Sequence, residues 1–290
     1  MIVDVHTHTP RHRSAETPPA VSNAAWRPDQ TRPTSLTWDE QIAALAVVDR
    51  AIVFNIAADP RDPAGAWDLM YPTPAVNDDT AAFVRAHPDK LIGFLTVHPH
   101  DPGALDEIDR ATQDLGLRGI KLGPNYQNFD PLGEEAFRVF RRAEELGLPI
   151  LLHQGTSPNQ FADLDYAHPR HIDRVAMAFP RLRLILAHMA HPWQADCIAV
   201  IRKHPHVYAD ISAQFYRPWS YYNAFRLAHE WGAMGKLLFG SDLPVATPGE
   251  TMDALWRVND LTEGTQLPPV PEGELEAILH RDSLSLLGLA

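Results

Sequence analysis

The chain is poor in three things, and each shortage closes off a class of protein. It has one cysteine, Cys197, in 290 residues, so no internal disulfide can form and a reducing, cytoplasmic setting is expected. No apolar run approaches the roughly 20 residues a membrane helix requires. The first residues lack the basic and apolar regions of a signal peptide, so neither membrane insertion nor export is expected. Positive charge is also scarce: 25 Lys and Arg against 37 Asp and Glu leave a net charge of −12. That balance speaks against a nucleic-acid partner, which would need a basic face, and leaves a small molecule as the expected partner. An acidic substrate stays open, because a local field can oppose the global one.

Short apolar runs alternating with helical patterns fill the rest. Residues Met1 to Pro10 read as a strand, and further strands are expected over 50–55, 91–97, 119–123, 149–153, 182–188, 207–211 and 236–242. Between them, apolar stripes predict helices, such as 134–146, where Phe137, Phe140 and Ala143 share a face and Gly147 supplies the stop. Thr37 and Glu40 have the spacing of a capping box, and Asn77 reads as the cap of the next helix. The last helical stretch runs over 272–287. Near-continuous apolar strands separated by helices imply a parallel sheet covered by helices. Eight such units predict one (β/α)8 TIM barrel over residues 1–290, with no compositional break for a second domain. Long proline-bearing loops follow the first strand, over 9–35, and the second, as far as Pro74.

In such a barrel the reacting groups gather at the carboxyl ends of the strands. His6 and His8 lie two apart at the end of the first strand and so point to one face. Two imidazoles held that way are half of a metal site, since neutral imidazole is a common ligand for zinc. The fourth strand offers Lys121, the fifth His153, the sixth His188 and the eighth Asp242. Alternation directs Lys121 inward between Ile120 and Leu122, and places Gly240 and Asp242 on a common face. A lone strand-end histidine is more often a satisfied core group. Six such groups converging at one end point to a chemical centre.

The order HxH, Lys, His, His and Asp resembles the amidohydrolase superfamily. The segments Gly119-Ile120-Lys121-Leu122, Ile150-Leu151-Leu152-His153-Gln154-Gly155, Ala187-His188-Met189 and Phe239-Gly240-Ser241-Asp242-Leu243-Pro244 are similar to its amidohydrolase-related branch. That branch holds metal-dependent hydrolases, lactonases, a hydratase and decarboxylases of the aminocarboxymuconate-semialdehyde type. The resemblance covers essentially the whole chain; one departure is Ala190-His191, where relatives commonly carry glycine. It implies that His6, His8, His153 and Asp242 hold one divalent metal, Zn2+ before Mn2+, with an open position for water. It further implies that His188 is a general acid/base and that Asp242 can take the water's proton. Lys121 would bind a substrate anion; a binuclear site bridged by a carbamylated Lys121 is the lesser alternative. A homodimer is implied by the resemblance alone.

Other residues carry weaker signals. Asp4, sharing the parity of His6 and His8, could orient one of them or simply hydrogen-bond within the barrel, and Asp210 could serve similarly. Tyr126, Gln127, Tyr216, Arg217 and Trp219 follow strand ends, and Arg13 opens the first long loop; each can be a substrate contact or an ordinary surface residue. His98, His100, His168, His171, His191, His204, His206, His229 and His280 read as surface or loop histidines. The expected activity is metal-dependent hydrolysis of a small polar substrate, such as a lactone, ester or amide, which can carry a carboxylate. The alternative is non-oxidative decarboxylation of a small unsaturated or aromatic carboxylic acid. A barrel that binds a metal or ligand without turnover ranks last.

Overall fold

The structure, a computed structural model, describes residues 1–11, 36–61, 70–71, 73–157 and 162–290. Its strands are β1 (Val3–His8), β2 (Arg50–Phe54), β3 (Ile56–Ala57), β4 (Met70–Tyr71), β5 (Leu91–Gly93), β6 (Leu95–Thr96), β7 (Ile120–Leu122), β8 (Ile150–Leu152), β9 (Leu184–Leu186), β10 (Val207–Asp210) and β11 (Leu237–Leu238). Its helices are α1 (Trp38–Ala44), α2 (Ala75–Ala86), α3 (Ala104–Gln113), α4 (Glu134–Leu146), α5 (Pro169–Ala178), α6 (Gln194–Lys203), α7 (Pro218–Glu230), α8 (Pro248–Trp256), α9 (Glu272–Leu279) and α10 (Ser283–Leu287). Among the described residues no helix is long and apolar enough to cross a membrane.

All strand pairs are parallel, in the orders β1-β2-β5 and β6-β7-β8-β9-β10-β11, with β3-β4 as a small separate pair. Backbone bonds join the two larger groups at both seams. The Phe94 amide donates to the Val53 carbonyl at 2.9 Å and the Leu95 amide to that of Gly119 at 2.8 Å, so β5 and β6 act as one strand position. At the other seam Val5 donates to Phe239 at 3.0 Å and Asp242 to His6 at 2.8 Å. Eight strand positions thus form the TIM barrel.

Side-chain alternation divides the core. Val3, Val5, Ile52, Phe54, Ile92, Phe94, Leu151, Ile185, Tyr208 and Leu238 form one cluster inside the barrel, joined by Leu284 and Leu287 of α10. Their neighbours Ala51, Val53, Ile120, Leu122, Ile150, Leu152, Leu184, Leu186 and Ala209 belong to the cluster beneath the helices. This is the inside-outside pattern that a barrel strand requires.

Several local expectations change. Helix α2 begins at Ala75, and Asn77 sits inside its first turn instead of capping it. Its amide accepts from the Thr96 backbone amide at 2.8 Å and donates to the Thr96 carbonyl at 3.0 Å. A side chain thereby stands in for a strand neighbour where β5 and β6 break. The final helical stretch is two helices, because the Asp282 side chain caps α10 afresh through the Ser285 amide.

Candidate functional site

The histidine pair reaches its place through an irregular strand. β1 shifts register against β2 between Asp4 and Thr7, so Val3 and Val5 line the interior below while His6 and His8 face Phe54 above, with ring centroids 5.2 and 5.0 Å away. Asp4 serves the backbone rather than an imidazole: its Oδ1 accepts from the amides of His6 and Ser241, both at 3.0 Å. Burial, partly offset by Ser241 and His6, raises its carboxyl to about 7. The partner of His6 is Asp210, whose Oδ2 lies 2.8 Å from His6 Nδ1. Gly240 permits this approach, since a Cβ there would come within 3.0 Å of His6 Cβ and 3.3 Å of Asp210 Cβ.

His188 and Asp242 arrive by turns, not by strand alternation. β9 ends at Leu186, and His188, Met189 and Ala190 follow with φ of 57°, 45° and 54°. β11 ends at Leu238, and Asp242 has φ 67°. Left-handed backbone costs an L-residue about 1–2 kcal/mol, and such conformations persist where the surroundings over-determine them. Here the His188 amide donates to Asp210 Oδ1 at 2.9 Å and the Asp242 amide to His6. The φ of Ala190 also explains why glycine suits that position.

Around these backbones the side chains converge. Asp242 Oδ1 lies 3.2 Å from His6 Nε2 and 3.3 Å from His8 Nε2, and Lys121 Nζ lies 3.4 Å from His6 Nε2. The rings of His153 and His188 are 5.1 Å apart, those of His6 and His188 4.9 Å. Lys121 is fully buried, and its Nζ stands 4.6 Å from the Phe54 ring centre. Burial, against the pull of Asp242 and Asp210, brings its ammonium down to about 7. Burial likewise lowers His8 and His153, and takes His188 to about 4 despite Asp242. His6 moves the other way: burial and Lys121 oppose its proton, but Asp210 and Asp242 outweigh them.

The donor set fits a divalent cation. With Nδ1–H of His6 given to Asp210, its Nε2 lone pair faces a carboxylate oxygen, an arrangement that demands a proton or a cation between them. His153 Nε2 is buried without a hydrogen-bond partner, a costly state that a ligand relieves. One ligand atom each from His6, His188 and Asp242 lies within 4.8 Å of the other two. Among the described residues this grouping takes in His188, expected only as acid/base, and does not include the expected ligands His8 and His153.

The remaining candidates separate. Tyr126 lies so close over Gly123 that a Cβ there would meet its ring at 1.9 Å, and its centroid is 4.7 Å from that of His153. Gln127 is fully buried and braces strands, donating to the carbonyls of Ala57 at 2.9 Å and Val97 at 3.2 Å and accepting from the Gly123 amide at 2.7 Å. Arg217 is half-buried, 4.7 Å over the Tyr216 ring. Behind burial, it is the second influence holding His191 down at about 4. Trp219 is 60% exposed. Arg13 lies outside the described residues. Two supposed surface histidines are buried: His98, beside the Gln127 carbonyl, and His168, whose Nδ1 caps α5 through the Arg170 amide at 3.3 Å.

Fold and geometry define the class first: a TIM barrel in which His6, His188 and Asp242 group as residues that could hold a metal ion. The family model described as Amidohydrolase matches residues 3–289, and the chain belongs to that family. A curated relative, 2-amino-3-carboxymuconate-6-semialdehyde decarboxylase of Dictyostelium discoideum, is 28% identical over 135 residues, which are 46% of this chain and 35% of that protein. Among solved structures, an uncharacterized TIM-barrel protein from Bordetella bronchiseptica superposes with a TM-score of 0.71 at 23% identity, covering 99% of this chain and 98% of that one. A dihydroxybenzoic acid decarboxylase from Polaromonas sp. JS666, with bound manganese and the inhibitor 2-nitroresorcinol, gives a TM-score of 0.66 at 17% identity, covering 99% and 97%.

Proposed function

We propose that the protein is a metal-dependent, non-oxidative decarboxylase of a small unsaturated or aromatic carboxylic acid. The observation that carries the reading is the placement of a half-buried His188 and a buried Lys121 around one cation donor set. Likeness to proteins named as decarboxylases, one of them with manganese, supports decarboxylation over the hydrolysis first expected.

His6, His8, His153 and Asp242 would hold the metal. When bound, the cation supplies positive charge that polarises a substrate oxygen. Lys121, walled by Phe54, meets a substrate oxyanion, because a buried ammonium needs an anionic partner. Tyr126, beside His153, and Arg217, near His191, would orient the acid. His188 delivers a proton to the carbon that carries the carboxylate. The carbon–carboxylate bond then breaks, its electron pair stays with that carbon's π system, and carbon dioxide leaves. Hydrogen has replaced carboxylate, with no oxidant used.

The test is a screen of manganese- and zinc-loaded protein against dihydroxybenzoic acids, 2-amino-3-carboxymuconate 6-semialdehyde, and small lactones, esters and amides. Carbon dioxide release from an acid supports the proposal. Hydrolysis without carbon dioxide release overturns it in favour of a hydrolase using the same residues.

A further inference from the structure

We infer that Ser212 is a positioning residue that holds His188 in the tautomer protonated on Nδ1, leaving the Nε2 lone pair for the reacting end of the barrel. The proposal rests on the reading of His188 as proton carrier for its consequence, but its geometry stands independently.

Ser212 Oγ lies 2.8 Å from His188 Nδ1 and in short contact with Asp210 Oδ1. A hydroxyl has a single proton, and an ionised carboxylate can only accept, so that proton belongs to Asp210. Oγ then turns a lone pair to His188 Nδ1, which must be the donor. The Ser212 carbonyl oxygen, also only an acceptor, lies 3.3 Å from the same Nδ1. Oγ also stands 3.4 Å from His6 Nδ1, itself committed as a donor to Asp210 Oδ2. Asp210 Oδ1 further takes the backbone amides of His188 at 2.9 Å and Ser212 at 3.1 Å.

Asp210 and Ser212 are both fully buried, which keeps solvent from replacing either partner. One carboxylate thus fixes His6 directly and His188 through a hydroxyl. The consequence for the reaction is an order of events. His188 starts with Nε2 unprotonated, so it must take up a proton from solvent, which its half-buried ring can reach, before it can deliver one to carbon.

The experiment uses full-length, zinc-loaded protein labelled with 15N in histidine, read by long-range 1H–15N correlation without any substrate. His188→Asn assigns the His188 signals. The wild type should show the Nδ1–H pattern. Ser212→Ala should lose it in favour of a mixture of tautomers at unchanged zinc content and circular dichroism, and Ser212→Thr should restore it. An Nε2–H pattern in the wild type, or an unchanged pattern in Ser212→Ala, overturns the proposal. Because no turnover is measured, failure here is distinct from failure of the decarboxylase reading.

Discussion

His6 Nδ1 donates to Asp210 Oδ2 across 2.8 Å, between two side chains with 1% and 0% exposure. The carboxylate belongs to β10 and the imidazole to β1, so one bond crosses the β11 position and fixes which nitrogen of His6 looks toward Asp242. Partners of this kind orient a ligand and raise its basicity.

Asp210→Asn should therefore weaken divalent-metal binding by about 10–100-fold, with the fold retained. Competition between the protein and a chelating dye for zinc measures this. Wild-type affinity in the variant would show that Asp210 does not set the orientation of His6.

Metal content comes next. Protein purified without chelator should carry about one divalent ion per chain, as expected for a single set of four donors, and Asp242→Ala should lose it. Elemental analysis and the intact mass of the Lys121-containing peptide decide together. Two ions per chain with a carbamate on Lys121 would establish the binuclear alternative instead.

The sequence makes the barrel and the convergence of its polar groups legible, but not the routes they take. Alternation correctly sends Lys121 inward, because β7 is regular there. It cannot foresee His188 and Asp242, which leave their strands through left-handed turns held by tertiary bonds. Nor can it foresee Asp4, whose phase is broken by the register shift in β1. Ser212 carries no signal at all: a serine after a strand is ordinary until its three polar neighbours are known. The burial of His98 was equally hidden, because its cause is the Gln127 loop folding back over β6.

That buried histidine should make stability sensitive to acid. Burial lowers the pKa of His98 from 6.5, although the Gln127 carbonyl opposes the shift. Below pH 6.5 the unfolded chain then binds more protons than the folded one, so stability is lost as pH falls toward the folded value. One group can contribute a slope of at most about 1.4 kcal/mol per pH unit. Urea unfolding between pH 5 and 7.5 should show the advantage of wild type over His98→Gln shrinking as pH falls. A constant difference across that range would mean that His98 is not held neutral.

The division of labour between His188 and His153 is the sharpest question the site poses. Ligand atoms of His188, His6 and Asp242 group within 4.8 Å, which would suit His188 as a metal ligand. Against that, His188 is half-buried where His153 is buried, and His153 Nε2 is a buried nitrogen with no hydrogen-bond partner. An orphaned buried nitrogen has more to gain from a cation than a half-exposed one. His188→Asn should accordingly keep its metal and lose turnover by about 10²–10⁴-fold, the usual contribution of a general acid/base group. His153→Ala should lose metal and turnover together. Zinc stoichiometry of the two variants, measured beside carbon dioxide release, separates the roles. Loss of metal from His188→Asn with retention in His153→Ala would exchange them.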